Sequence, residues 1–460
     1  MPIFDVEPRV NGDVYFGDRR RESVILAGKV AEKGVGGQVY FDGSDNFVVF
    51  EVGKRGSGKS YGMGSLLEGF ATVGATSVVG RHKERRGVLL LDPLDIHWTA
   101  LFPLAADGPE GLRRQYDVLK KWKGLEVEAI RARVWVPAGF SWKIDHADFR
   151  SYYLPVSALE AADWAVLLST DLILEPRGRL VAEAYHKVTE LGWRSGANRI
   201  AGRADYSIQD VIDCISKDDD IVQFYHAETI RSVVQPLMAF ARMPLFSARE
   251  GTPMTDLVEP GVLSVMSLGR LSEDMRTVLT AVLVRKLYQD RSIASQIKRR
   301  LQLQKIEETE RRHLEAEMLK HIPRTILAID EAQILMPAKG GDIARQALNS
   351  FVLQGRNFGL SLWLATQRPK GAVSEAAVSQ IDTFIIHRLS VADDIAEVCR
   401  LLQNARPDKI RLNGREIELP DMVRSLDVGQ ALISSASADV PRIVTVSLRP
   451  RMVAHGGEAF

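Results

Sequence analysis

Cysteine is almost missing from this chain: Cys214 and Cys399 are the two such residues in 460, far apart and outside any Cys-x-x-Cys or Cys/His spacing. A disulfide framework and a structural zinc site therefore gain no support, and a reducing, cytoplasmic setting is expected. No run of about 18 apolar residues occurs, and the opening MPIFDVEPRVNGD carries charges where a signal peptide would have its apolar stretch. Neither a membrane span nor secretion is expected. Net charge is nearly nil as well, 60 Lys+Arg against 59 Asp+Glu, or +1. That argues against a uniformly basic surface, but a ring can confine basic residues to its channel, so nucleic acid stays open as a partner. Internal repeats and low-complexity tracts are also lacking. What is present is 45% hydrophobic and 26% charged residues, a soluble composition with enough apolar content for a sizeable core and length for roughly two to four domains.

Short β-like runs (24 to 26, 38 to 41, 47 to 50) alternate with Gly-rich breaks, including GVGG at 34 to 37, over the first fifty residues. The run Phe47-Val48-Val49-Phe50 then leads into Gly53-Lys54-Arg55-Gly56-Ser57-Gly58-Lys59-Ser60, and an apolar-periodic segment follows through Leu66, Leu67 and Phe70. This is strand, glycine loop, helix. A second strand, 87 to 91, closes at Asp92-Pro93. Alternation of this kind predicts a parallel sheet with helices on its faces. From 107 to 250 the texture turns helical and charged, which reads as an α-helical insertion. The α/β texture returns at Gly261 to Met266, and residues 298 to 320 read as a solvated, ion-paired helix. The expected organisation is thus an N-terminal β segment (1–45), a first core part (46–106), the insertion (107–250) and a second core part (251–460) ending in a β-hairpin.

Gly53 to Ser60 matches G-x-x-x-x-G-K-[ST], a pattern that ordinary residue frequencies would produce only about 0.02 times in such a chain. The glycines let successive backbone N–H groups face phosphates, and the following helix adds its positive end. Lys59 can reach β- and γ-phosphate oxygens, while the Ser60 hydroxyl suits Mg²⁺. Tyr61 completes the cofactor-binding stretch. Hydrolysis needs in addition a strand ending in acid, and Thr325-Ile326-Leu327-Ala328-Ile329-Asp330-Glu331 supplies it. Asp330 is expected on the magnesium side and Glu331 as the base that polarises water. Asp330 lies 271 residues beyond Lys59 (330 − 59), an interval that accommodates the insertion.

Further on, Ile343, Ala344, Ala347, Leu348, Phe351 and Val352 share one helical face. Gly355-Arg356-Asn357-Phe358-Gly359 breaks that helix, and a strand through Leu360 to Ala365 ends at Thr366-Gln367-Arg368-Pro369. Gln367 can there sense γ-phosphate and orient water. A cation is also needed opposite the departing charge, and in ring ATPases it comes from the neighbouring subunit. Arg356 is the first candidate and Arg388, after Thr383 to His387, the second. Asp145-His146-Ala147-Asp148 imitates a metal cluster but reads as surface, and the 81 to 86 and 298 to 312 stretches are basic enough to be weighed as phosphate contacts.

The series GKRGSGKS, AIDEAQ, QGRNFGLSLWLATQRP and TFIIHRL resembles the HerA/FtsK superfamily of ring ATPases, its GRNFGL and LATQRP stretches looking like the HerA branch. The likeness covers roughly 45 to 105 and 255 to 450, including the strand and helix within DLVEPGVLSVMSLGRLSEDMRTVLTAVLVRKLY and the closing LDVGQALISSASADVPRIVTVSLRPR. It implies a RecA-like P-loop core, ATP and Mg²⁺ at the interfaces of a hexameric ring, and translocation on double-stranded DNA beside a separate nuclease or NADase-type effector, in DNA processing or phage defence. Gln333 stands where many relatives have His, and about 45 residues precede the loop, fewer than such a family's N-terminal barrel. Two other functions compete: a ring scaffold that activates a partner with little translocation, and a secretion or conjugation motor.

Overall fold

The computed structural model describes residues 13–17, 20–31, 37–74, 77–247, 251–337, 342–370, 375–402, 409–412, 415–435 and 442–457. Most of the GVGG break, the first twelve residues and 436–441 lie outside them. The apolar runs become strands of one 14-stranded sheet: β1 (Val14–Gly17), β2 (Ser23–Val30), β3 (Gln38–Asp42), β4 (Val48–Val52), β5 (Gly80–His82), β6 (Gly87–Asp92), β7 (Ala132–Pro137), β8 (Phe149–Tyr152), β9 (Leu263–Ser267), β10 (Thr325–Ile329), β11 (Leu360–Thr366), β12 (Thr383–Ile386), β13 (Gln430–Ser435) and β14 (Arg442–Leu448). Their spatial order is β1-β3-β2-β14-β13-β12-β4-β11-β10-β6-β9-β7-β8, with β5 on β2. From β12 to β8 every pairing is parallel. Beyond β12 the sheet continues antiparallel through β13, β14, β2 and β3.

Strands β4, β6, β9, β10 and β11 are buried along their whole length, as parallel strands covered by helices on both faces must be. Alternate residues feed two cores. Leu89, Leu91, Leu327 and Ile329 pack on one face with Leu180, Ile215 and Val233 of the 107–250 region, while Val88, Leu90, Ile326 and Ala328 pack on the other with Met63, Leu66 and Leu67 of the Lys59–Glu68 helix. The helix Asp342–Gln354 buries Ala344, Leu348, Phe351 and Val352, the face that its periodicity predicts.

Two readings change. The 107–250 stretch is not all helical, since β7 and β8 inside it extend the parallel sheet. Arg133 disguised β7: a charge within the strand breaks the apolar pattern, yet here it is buried, its Nη1 donating to Glu259 and to the Asp256 carbonyl. The charged stretch 298–320 is two helices, the end of Glu273–Leu303 and then Glu308–Met318, cross-linked by Arg300 and Glu310. Among the described residues no helix is long and apolar enough to cross a membrane.

Candidate nucleotide site

Because the parallel strands share a direction, their C-terminal ends converge on one edge, where ligands of open α/β sheets bind. The glycine loop leaves β4 there, Asp92 ends β6, Asp330 and Glu331 follow β10, Gln367 follows β11, and His387 and Arg388 follow β12. Strand β11 lies between β4 and β10, so Gln367 stands between the loop and the acidic pair.

The loop is held by its own backbone. The Gly53 N–H donates to the Thr366 carbonyl (3.3 Å), the Lys54 N–H to the Arg388 carbonyl (3.2 Å), and the Gly429 N–H to the Ser57 carbonyl (3.4 Å). Gly56 and Gly58 have φ of 74° and 95°, left-handed values that glycine reaches without strain. A Cβ on Gly53 would lie 2.5 Å from Ser57 Oγ and 2.7 Å from His387 Cβ. Ser57 Oγ is buried without a hydrogen-bond partner among the described residues, an orphaned donor inside a cradle shaped for an anion.

Lys59 does not point to solvent. Its Nζ lies 2.6 Å from Asp330 Oδ1, 3.0 Å from Glu331 Oε1 and 3.4 Å from Ser60 Oγ, and all three charged side chains are at most 3% exposed. Burial opposes the Lys59 charge, but the two carboxylates outweigh it and raise its pKa. Burial likewise pushes the Asp330 carboxyl up, but the Lys59 charge and hydrogen bonds from His97 and Lys59 hold it well below the usual carboxylate range. Glu331 has φ 46° and ψ 53°, left-handed for a non-glycine residue and worth about 1–3 kcal/mol of strain. Both its oxygens take amide donors, Oε1 from Gln367 Nε2 (2.7 Å) and Oε2 from Gln333 Nε2 (2.6 Å). Thr366 Oγ1 in turn donates to Gln333 Oε1 (2.7 Å).

The remaining sequence candidates separate. In the loop Arg55 and Gly56 are exposed and Lys54 half-buried. Tyr61 turns away: its hydroxyl accepts the Arg451 N–H (3.1 Å) and its ring meets that of His455 edge-on. Arg388 stands beside the loop of its own chain, with a buried Nε lacking a partner among the described residues. Arg356 precedes β11 and so sits at the far end of the sheet from the loop, tied to Asp382 and to the Gln380 carbonyl (2.6 Å). Of the basic stretch, Arg85 donates to backbone carbonyls, and Arg86 to backbone carbonyls and to the Ser361 hydroxyl. Sequence reasoning missed Glu51, buried in mid-strand between His387 Nε2 (2.8 Å) and Trp363 Nε1 (2.7 Å), and His97, whose Nε2 lies 3.1 Å from Asp330 Oδ2. A charged residue inside the apolar run before the loop was the signal for the first, and the turn after Asp92-Pro93 for the second.

Among the described residues no three His, Cys, Asp or Glu side chains are grouped to hold a metal ion, the Asp145 to Asp148 stretch included. An ion at the loop would take Ser60 and Asp330 oxygens together with phosphate and water, the oxygen-rich set that Mg²⁺ prefers. The residues present fit ATP and Mg²⁺.

No protein-family model matches the chain. It is 23% identical over 219 residues to the DNA double-strand break repair helicase HerA of Sulfurisphaera tokodaii (48% of this chain, 38% of the relative). With the HerA helicase of Pyrococcus furiosus it shares 22% over 225 residues (48% and 39%). The chain thus spans about two fifths of the length of the curated relatives it matches. Among solved structures, VirB4 of Thermoanaerobacter pseudethanolicus superposes with a TM-score of 0.51 at 13% identity, covering 92% of this chain and 96% of the other. The fold is the α/β, RecA-like P-loop arrangement expected from the sequence, and the chain resembles HerA-type ATPases.

Proposed function

We propose that this chain is an ATP-hydrolysing subunit of a homo-oligomeric, hexameric ring that translocates double-stranded DNA and works with a separate nuclease or NADase-type effector. The observation that carries the ATPase reading is the convergence of Lys59, Asp330, Glu331 and Gln367 beside a glycine loop whose N–H groups and Ser57 hydroxyl form an anion cradle. Support for DNA as the track comes from the likeness to relatives named as DNA helicases.

Bound ATP with Mg²⁺ supplies the phosphoryl group and the charge that activates it. The loop N–H groups and Lys59 hold the phosphate oxygens, so Lys59 must leave part of its contact with Asp330 and Glu331 when phosphate arrives. Ser60 and Asp330 would hold the metal. Glu331, held by the amides of Gln367 and Gln333, takes a proton from the attacking water at a carboxylate oxygen once one of those amides moves aside. Arg356, at the opposite end of the sheet from its own loop, is suited to a neighbour's site and must first leave Asp382. Mixing inactive Arg356→Ala and Lys59→Ala subunits tests this: mixed rings recover part of the activity if the arginine acts in trans, and none if it does not.

One observation favours the ring scaffold as a second reading. Both Glu331 oxygens are occupied by amides, an arrangement that holds the base idle until something moves Gln333 or Gln367. Partner activation surviving Glu331→Gln would select the scaffold.

A further inference from the structure

Asp330 ends a strand, and nothing in its own backbone fixes the rotation of its carboxylate. Oδ1 is engaged by Lys59 Nζ and by the Glu331 N–H (2.9 Å). Oδ2 is fully buried and would be an unpaired acceptor in an apolar interior but for His97 Nε2 at 3.1 Å. The acceptor being a carboxylate, Nε2 carries the hydrogen, and Nδ1 is buried without a partner among the described residues. His97 is itself held from two sides. Its backbone N–H donates to Asp92 Oδ2 (2.6 Å), while Asp92 Oδ1 takes the Leu94 N–H (3.1 Å).

On the other side lies the segment that follows β14. The Gly456 N–H donates to the Ile96 carbonyl (3.2 Å), Thr99 Oγ1 to the Ala454 carbonyl (2.9 Å), and the His455 ring centre lies 6.2 Å from that of His97. The same segment is anchored to the helix of the phosphate loop. Arg451 Nε donates to Glu68 Oε1 (2.6 Å), the Met452 N–H to Glu68 Oε2 (2.7 Å) and the Arg451 N–H to the Tyr61 hydroxyl. One strap therefore touches both the Ser60 side and the Asp330 side of the site.

We propose that His97, braced by this strap, is a positioning residue that aims the Asp330 carboxylate toward Mg²⁺. The inference rests on the reading of Asp330 as the magnesium-side carboxylate. Among the described residues no hydrogen bond or ion pair joins His97 to the loop, so its removal should affect the metal and spare the bare nucleotide. Groups one shell out from a metal commonly change its affinity by about 10–100-fold.

The test is fluorescence titration of the whole chain with mant-ADP, in EDTA and across a Mg²⁺ series. His97→Ala is expected to raise the half-saturating Mg²⁺ concentration by about tenfold or more with mant-ADP affinity in EDTA unchanged, and His97→Gln, whose amide N–H can replace the donor, to recover most of the loss. His97→Phe keeps the ring volume without the N–H and should lose the same factor as alanine, which guards against collapse of the site. A wild-type Mg²⁺ response in His97→Phe, or equal losses with and without Mg²⁺, would overturn the proposal. Mant-ADP binding that ignores Mg²⁺ in the unsubstituted protein would overturn the Asp330 reading beneath it.

Discussion

Removing the Lys59 charge should change stability as well as nucleotide binding, and should make stability depend on pH where the parent's ion cluster does not. In Lys59→Met the apolar chain is nearly conserved, but Asp330 and Glu331 lose a cation at 2.6 and 3.0 Å in a site where they are at most 3% exposed. Breaking a buried pair by removing one partner costs about 3–5 kcal/mol. With a urea slope of about 3 kcal/mol/M, the midpoint should fall by about 1–1.7 M. The sign follows from the shifts. Asp330 has a depressed pKa in the folded protein, so its contribution is complete above the unfolded carboxylate value of 3.8 and is lost only as pH falls below it. The raised pKa of Lys59 contributes fully below the unfolded lysine value of 10.5 and is lost as pH climbs past it. Both are constant between pH 5 and 8. In Lys59→Met burial acts unopposed by that cation, the Asp330 pKa rises, and stability should decline as pH increases across that window. Urea titrations at pH 5, 6, 7 and 8 read this directly. A variant as stable as the parent, with the same pH slope, would refute the buried ion cluster.

Three further outcomes follow from the geometry. Glu331→Gln should retain ATP binding and lose hydrolysis by about 10²-fold or more, measured by filter binding beside phosphate release. Gly53→Ala should abolish nucleotide binding while leaving circular dichroism unchanged, because the new methyl meets Ser57 Oγ and His387 Cβ at 2.5 and 2.7 Å. Glu68→Gln leaves the buried guanidinium groups of Arg451 and Arg449 without their counter-charge, 2.6 and 3.6 Å away, and should lower the urea midpoint through a loss of about 3 kcal/mol.

The parts of this molecule legible in sequence are those governed by local rules. A strand buried on both faces is a mostly apolar run, so β4, β6, β10 and β11 announced themselves, and the glycine loop is a motif because phosphate contact is made by consecutive backbone groups. The side-chain pairings were not legible. Lys59 and Asp330 meet across 271 positions, and the sequence offers no sign that the lysine rests on the acidic pair. His97 is one histidine in a turn until the strap and Asp92 hold it against Asp330. Arg133 hid β7 because its counter-ion, Glu259, stands 126 residues away. Arg356 was chosen for its loop, and its contact with Asp382 is a product of the fold.

The most direct measurement is ATP hydrolysis by the purified chain with Mg²⁺, with and without linear double-stranded DNA, alongside Lys59→Ala and Glu331→Gln. A motor of this kind hydrolyses faster on duplex and loses the activity in both variants. Hydrolysis that is indifferent to duplex, or that survives either substitution, would contradict it.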